Sequence, residues 1–308
     1  MEKIDAVLVN HPGLNAFLAK PLASRRLGGL TNTNWLVESP SGKFVLRVPG
    51  RGTEEYINRA SEKQAASITS QLGVNAPLLY FDPTTGVQLS TFLEGAKTMD
   101  AESFKTKGAI ERAARSFRRV HDSGQAFAGR FELFEMMENY LEVLKTKKAT
   151  LPEGFVTTQQ TAERVREALL RHPLPLVPCH CDPLAENFLD TGNQMFIVDW
   201  EYAGNNDPMW DLADLSVEAG FSPEQEQILL ESYFQGTSVP AFDRGRVVLY
   251  KAMCDLLWTL WGMLQHANQN PADDFLAYAQ RRLFRCNALM ASPEFEMHLK
   301  AVIQGPLV

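Results

Sequence analysis

The chain has few cysteines, four in 308 residues, and they do not read as a disulfide framework. No C-x-x-C pair supplies the usual signature of a closed zinc site. Cys179 and Cys181 flank His180, but on an extended segment alternate residues share a face. The two thiols would then lie together with the imidazole opposite, as buried thiols. An excess of basic charge is also missing. Thirty Lys and Arg stand against 37 Asp and Glu, a formal net charge of −7, which argues against nucleic acid as the main partner. That balance suits a cationic substrate, although acidic solubility alone gives the same number. The first twenty residues have no apolar core or cleavage site of a secretory leader, so a cytosolic location is expected. The most apolar stretch, Val247 to Leu264, is broken by Lys251 and Asp255 and reads as a buried helix without membrane insertion. There are no internal repeats and no low-complexity tracts.

What is present is a change of character along the chain. Residues 35–38 and 43–48 flank the turn signal Ser39-Pro40-Ser41-Gly42, and 78–82 and 87–93 flank Asp82-Pro83-Thr84-Thr85-Gly86, which predicts two hairpins. A helix is expected between them over 54–72, with Gly73 as its C-cap. Helical patterns then cover 100–122, 132–147, 158–171, 208–219, 223–235, 243–267 and 271–290. Asn270-Pro271 is a natural opening for the last of these. This segregation predicts an α+β fold rather than alternating βαβ units. Its lobes would be a small strand-rich one over 1–92, a hinge at 93–97, and a larger, mostly helical one over 98–308.

The densest chemical signal runs from His180 to Asp211. Asp182 follows His180 by two residues, Asn187 stands five further on, and Asp199 closes the strand-like run Met195-Phe196-Ile197-Val198. An H-x-D-x-x-x-x-N loop followed by a hairpin that ends in Asp is the layout of a phosphoryl-transfer site. Asp182 is the candidate catalytic carboxylate, placed to orient an acceptor hydroxyl and take its proton. Asn187 and Asp199 are the candidate Mg²⁺ ligands, supplying the oxygen donors that this hard cation takes. His180 reads as a brace for the loop. Asp207-Pro208 resembles a helix start, and Asp211 could tie that helix to the loop by accepting backbone N–H bonds.

On the nucleotide side, Gly28, Gly29, Thr31 and Asn32 form a candidate phosphate-covering loop before the second strand. An ordinary hairpin turn has the same composition. Arg47 alternates with Phe44, Leu46 and Val48 on its strand and so faces away from them, either toward phosphates or as a plain surface arginine. Glu62, on the next helix, stands where a kinase puts the carboxylate that pairs with the strand cation; a solvated helix glutamate would look the same. Thr91 and Leu93 would offer backbone groups to an adenine edge.

Together these pieces resemble the choline/ethanolamine kinase family, in particular its bacterial choline kinases, within the wider group that includes the aminoglycoside phosphotransferases. The matching pieces are Gly28-Gly29-Leu30-Thr31-Asn32, Val45-Leu46-Arg47, His180-x-Asp182 with Asn187, and Asp199-Trp200-Glu201-Tyr202-Ala203-Gly204. Asp211-Leu212-Ala213-Asp214, Glu218 and Trp258-x-x-Trp261 continue the match, which runs from about residue 25 to 285. The resemblance implies a two-lobed protein-kinase-like fold, ATP and Mg²⁺ as cofactors, and choline as a small-molecule substrate. It also implies a choline pocket of Tyr202, Glu218, Trp258, Trp261 and Tyr278. A quaternary ammonium donates no hydrogen bonds, so aromatic faces suit it, at roughly 0.5–2 kcal/mol per contact. Trp258 and Trp261, three apart on one helical face, have core packing among Leu257, Leu260 and Leu264 as their ordinary reading. After Glu218 the chain runs Ala219-Gly220-Phe221-Ser222-Pro223, without a clear counterpart for one further aromatic of the eukaryotic pocket. Ethanolamine or another small amino-alcohol is the close alternative. An aminoglycoside would want many carboxylates, whereas the last residues, His298 to Val308, are neutral to basic. A non-catalytic pseudokinase is the least favoured reading, because Asp182, Asn187 and Asp199 are all present.

Overall fold

The computed structural model describes residues 2–18, 20–28, 32–50, 52–53 and 57–306. Five antiparallel strands form the N-terminal sheet in the order β1-β2-β3-β5-β4: β1 Ala23–Arg26, β2 Thr33–Ser39, β3 Gly42–Val48, β4 Leu78–Phe81 and β5 Gln88–Thr91. Alternation along β2 and β3 sends Val37, Phe44 and Leu46 to one face. There they join Leu89 of β5, Val87, and Ile4, Leu14 and Leu18 in a small core of their own. Burying each such side chain contributes about 1.5–3 kcal/mol. Ile4, Leu14 and Leu18 belong to helical segments that the sequence reading did not anticipate: α1 (Glu2–Asn10), a 3₁₀ turn at Pro12–Leu14 and α2 (Asn15–Leu18). The first ninety residues therefore hold more than strands and one helix, because the sheet's apolar face needs a cover.

The helix expected over 54–72 spans Arg59–Gln71 (α3). Glu54 to Tyr56 lie outside the described residues. Asn58 caps it by accepting from the Ala60 and Ser61 N–H groups, each at 3.1 Å. Gly73 takes the expected C-terminal position with φ +69°.

Beyond β5 the chain is mainly helical. The two-residue β6 (Lys97–Thr98) already pairs with β8 (Phe188–Asp190), which pairs in turn with β9 (Met195–Ile197). A second small ladder joins β7 (Val177–Cys179) to β10 (Gly204–Asn206). Around these stand α4 (Lys107–His121), α5 (Leu133–Thr146), α6 (Phe155–Arg171), α7 (Met209–Glu218), α8 (Pro223–Tyr233), α9 (Ala241–Ala267), α10 (Phe275–Met290) and α11 (Pro293–Gln304). They share one large core centred on α9. By length and composition α9 could cross a membrane, but 83% of its most apolar window is buried inside the protein. The charges that interrupt its pattern are paired: Lys251 with Glu226, and Asp255 with Arg285.

Two helix starts differ from expectation. The helix predicted from 100 begins at Lys107, because Asp100 accepts from the Ser103 N–H at 2.7 Å and a 3₁₀ turn follows. The helix predicted from 271 begins at Phe275. Asn270 Oδ1 accepts from the Ala272 N–H, which makes a turn of Pro271, while Asp274 caps the helix through the Ala277 N–H at 3.0 Å. Helix α11 was not expected at all. It begins at a Ser292 cap followed by Pro293, a start signal as good as the one that misled at Asn270-Pro271.

Candidate active site

The loop between β7 and β8 is fixed from behind by Asp211 of α7. Its Oδ2 accepts from the His180 N–H at 2.7 Å and its Oδ1 from the Cys181 N–H at 2.8 Å. His121 adds a third contact, Nε2 to Asp211 Oδ2 at 3.1 Å. With its oxygens so engaged, Asp211 braces the loop. Cys179 lies close to His121 and Asp211, but burial, with Asp211 adding to it, pushes its thiol well above the usual range. His180 Nε2 donates to the Val198 carbonyl at 2.9 Å and its Nδ1 accepts from the Asp182 N–H at 3.3 Å. Burial lowers its pKa, so the ring is a neutral strut. Cys181 adopts φ +69°, which breaks the simple alternation expected of an extended segment.

Asp182, Asn187 and Asp199 are brought together by short links. Asn187 Nδ2 donates to the Asp182 carbonyl at 3.1 Å, and the Val198 N–H donates to the Asn187 carbonyl at 2.9 Å. Asp199 follows Val198 directly, with a left-handed φ of +67°. That conformation is strained for a residue with a Cβ, and surrounding structure must hold it. The Asp182 carboxyl is pushed well above the usual carboxylate range, first by burial and then by the charge of Asp199, with Glu218 and Glu201 adding to it. Burial also raises Asp199, partly offset by Arg47. Three carboxylates thus crowd one cleft without enough positive charge among them. That excess, with hard oxygen donors from two carboxylates and an amide, fits a divalent cation such as Mg²⁺.

Arg47 sits at the junction between the N-terminal sheet and this cleft. Its Nη1 donates to Glu62 Oε1 at 2.8 Å, while Nη2 reaches Asp199 Oδ1 at 2.9 Å and Glu201 Oε2 at 2.5 Å. It is a buried arginine on a central strand, not a surface one. Burial opposes its charge, but Asp199, Glu201 and Glu62 outweigh that and raise its pKa. Glu62 is equally buried and shares its other oxygen with Arg59 at 2.7 Å, which rules out a solvated glutamate. Asn32 donates to Glu201 Oε2 at 3.2 Å and accepts from the Gly50 N–H at 3.4 Å. Gly28 accepts at its carbonyl from Asn34 Nδ2, and a Cβ on Gly28 would meet open space. Gly29 and Thr31 lie outside the described residues. Thr91 donates its N–H to Pro77 and Phe92 donates to Lys43. Any adenine contact at Thr91 therefore has to use its carbonyl, and an N–H contact falls to Leu93.

On the far side of Asp182 the expected aromatic residues do meet. Tyr202 and Trp258 rings lie 5.7 Å apart, Trp258 and Trp261 6.2 Å, and Trp261 and Tyr278 5.9 Å, all edge to face. Trp258 is buried, and the indole N–H groups of Trp258 and Trp261 are both buried without a hydrogen-bond partner. Glu218 is held by both arms of Arg282, at 2.5 and 2.8 Å.

Four residues of this site were not assigned roles from sequence. Glu201 was visible in the Asp199-x-Glu201 spacing, two residues along from a metal-ligand candidate. Phe275 packs 5.5 Å from Trp261 and 6.4 Å from Tyr278, adding an aromatic where the sequence reading found none. It stands three residues before Tyr278 and so shares its helix face. Arg282, four after Tyr278, was legible by the same rule. Asp214, fully buried with Oδ2 unpartnered, had no signal of its own.

The comparisons agree with this geometry. The sequence profile described as the phosphotransferase enzyme family matches residues 23–250. A crystal structure of a choline/ethanolamine kinase family protein from Mesorhizobium loti is 51% identical, covers 99% of each chain and gives a TM-score of 0.89. The choline kinase LicA from Streptococcus pneumoniae is 27% identical over 94% of this chain and 99% of its own, with a TM-score of 0.80. The protein LicA of Haemophilus influenzae is 29% identical over 264 residues, 83% of this chain and 76% of that one. A sheet-rich N-terminal part, a helical remainder and a shared cleft of carboxylates are thus common ground, and the chain belongs to the phosphotransferase enzyme family and, within it, to the choline/ethanolamine kinase family.

Proposed function

We propose that the protein transfers the γ-phosphate of ATP to the hydroxyl of choline, giving phosphocholine and ADP. The observation that carries this reading is the adjacency of the aromatic wall and the loop carboxylate. Asp182 feels the charges of Glu218 and Arg282, and Tyr278 feels that of Asp182. An amino-alcohol with its cationic head against Trp258 and Trp261 would present its hydroxyl toward Asp182, since only two carbons separate the two groups.

In this scheme Asp182 accepts a hydrogen bond from the choline hydroxyl, aims its oxygen at the phosphorus and takes the proton as the P–O bond forms. Positioning matters more than basicity when the transition state is loose. Asn187 and Asp199 would hold Mg²⁺, which when bound neutralises charge on the transferring phosphate. Arg47, released from part of its contact with Asp199 and Glu201, offers its planar fork to phosphate oxygens, while Glu62 keeps it in register. Asn32 and the glycines around Gly28 cover the phosphates, and the adenine edge meets Leu93 and the Thr91 carbonyl.

The test is turnover with Mg·ATP against choline, ethanolamine, thiamine and kanamycin in parallel. Choline is expected to give the highest kcat/KM. A preference for kanamycin or thiamine would overturn the assignment, and equal use of ethanolamine would widen it to small amino-alcohols.

A further inference from the structure

The aromatic pocket already contains a cation of the protein's own. Arg282 stands one turn after Tyr278 on α10, and its guanidinium lies 4.9 Å from the centroid of the Tyr278 ring. Its two Nη atoms take the two oxygens of Glu218 in a fork-on-fork pair, and Nη1 also lies 3.3 Å from Asp255 Oδ1. Arg285 completes the set by donating to both oxygens of Asp255, at 2.5 and 3.2 Å. Glu218, Asp255 and Arg282 are each more than nine-tenths buried. Two carboxylates and two guanidinium groups thus balance, and Glu218 has no oxygen left without a strong donor.

That balance bears on which amine the pocket takes, an argument that rests on the reading of this pocket as an amino-alcohol site. A primary ammonium has three N–H donors and is held by oxygen acceptors at hydrogen-bond distance. A quaternary ammonium has none and is held by ring faces and diffuse negative potential. The carboxylate best placed to favour the first kind of head is the one Arg282 covers. Asp214, the next carboxylate along α7, is fully buried and accepts from the Cys254 thiol at 2.9 Å.

We infer that Arg282 sets the amine selectivity of this pocket: by engaging both oxygens of Glu218 it denies a primary ammonium its acceptors and leaves the aromatic faces to a quaternary one. Arg282 is a specificity-determining residue that acts through Glu218.

The experiment compares kcat/KM for choline and ethanolamine at saturating Mg·ATP in wild type, R282M, E218Q and R282M/E218Q. In R282M the choline-to-ethanolamine ratio is expected to fall at least about tenfold, mainly through a lower KM for ethanolamine. E218Q removes the hidden acceptor, so it lowers both values through the unbalanced Arg282 charge but does not lower the ratio. The double variant removes acceptor and cover together and returns the ratio to within about threefold of wild type. A folded R282M that loses activity equally on both amines, with no recovery in the double variant, would mean a merely structural role and overturn the inference. If R282M does not fold, R282K reads the same quantity. One ammonium cannot reproduce the guanidinium fork over both Glu218 oxygens, so the ratio falls about threefold, and an unchanged ratio overturns the inference. A wild type that uses choline while the Arg282 variants keep its ratio sinks this inference alone. A wild type that phosphorylates neither amine sinks the pocket reading and this inference with it.

Discussion

Two clusters of interleaved carboxylates and guanidinium groups flank Asp182, and they are built differently. On the nucleotide side Arg47 comes from a β-strand, Glu62 and Arg59 from α3, and Asp199 and Glu201 from the loop after β9. On the amine side Glu218 ends α7, Asp255 lies on α9, and Arg282 and Arg285 on α10, all helices sharing one core. The first cluster joins parts of the molecule with separate cores; the second is internal to one. Phosphates that arrive and leave need a cation able to exchange partners. A pocket that discriminates among small amines gains from groups that do not move. Similar ion pairs therefore serve a junction in one place and a fixed wall in the other.

The sharpest break in this comparison is Asp182, which neither cluster can replace. Asp182→Ala is expected to lower kcat by roughly 10²–10⁴-fold, the usual contribution of a positioned acid–base group. Nucleotide affinity measured by calorimetry should stay within about threefold of wild type. Unchanged turnover would remove Asp182 from its assigned role. Next in size comes the junction. Arg47→Met leaves Glu62 and Glu201 buried without their main partner, a loss of about 3–5 kcal/mol when one member of a buried pair is removed. Both Tm and ATP affinity should drop while choline affinity holds. A variant of wild-type stability would show that Arg59 alone satisfies Glu62 and Glu201.

A smaller effect separates the wall from the junction. Trp258→Ala should raise the KM for choline about 2–30-fold, the span of one cation–π contact, with the KM for ATP within twofold of wild type on the same scale. Equal effects on both substrates would make Trp258 scaffold, the reading that its leucine neighbours suggest.

How much of this was legible beforehand follows the same division. The junction residues were readable because a strand's alternation and a fixed loop spacing are local rules. Phe44, Leu46 and Val48 place Arg47 on the other face, and H-x-D-x-x-x-x-N places Asn187 beside Asp182. The sequence could not show that Arg47 would meet Asp199 and Glu201, since those contacts span about 150 residues of chain and depend on how the two parts close. On the amine side the aromatic residues were readable by helical spacing, but Arg282 was not sought because Glu218 was already cast as a partner for substrate. The missed N-terminal helices have a similar cause. Their apolar residues make sense only once the sheet face they cover exists.

The smallest expected effect concerns Asp214, which lies beside both the wall and Asp182 and has a cation partner in neither cluster. Its Oδ1 accepts from the Cys254 thiol and its Oδ2 is buried without a partner. Burial holds its pKa well above the ordinary carboxylate range, with the charges of Glu218 and Asp182 pushing the same way and Arg282 offsetting in part. The folded protein therefore keeps this proton at pH values where the unfolded chain, with a pKa of about 3.9, has lost it. Between those two pKa values the folded state binds more protons, so the stability from this group falls as pH rises and is restored below about pH 4. Asp214→Asn keeps the shape and removes the titration. Its Tm should gain on that of wild type as pH is raised from 4 to 8, by about 2 °C or more for a chain of this size. Because every other shifted carboxylate is common to both proteins, the difference isolates Asp214. A gap that stays constant across that range would mean that Asp214 carries no shifted proton and is simply an ionised member of the wall.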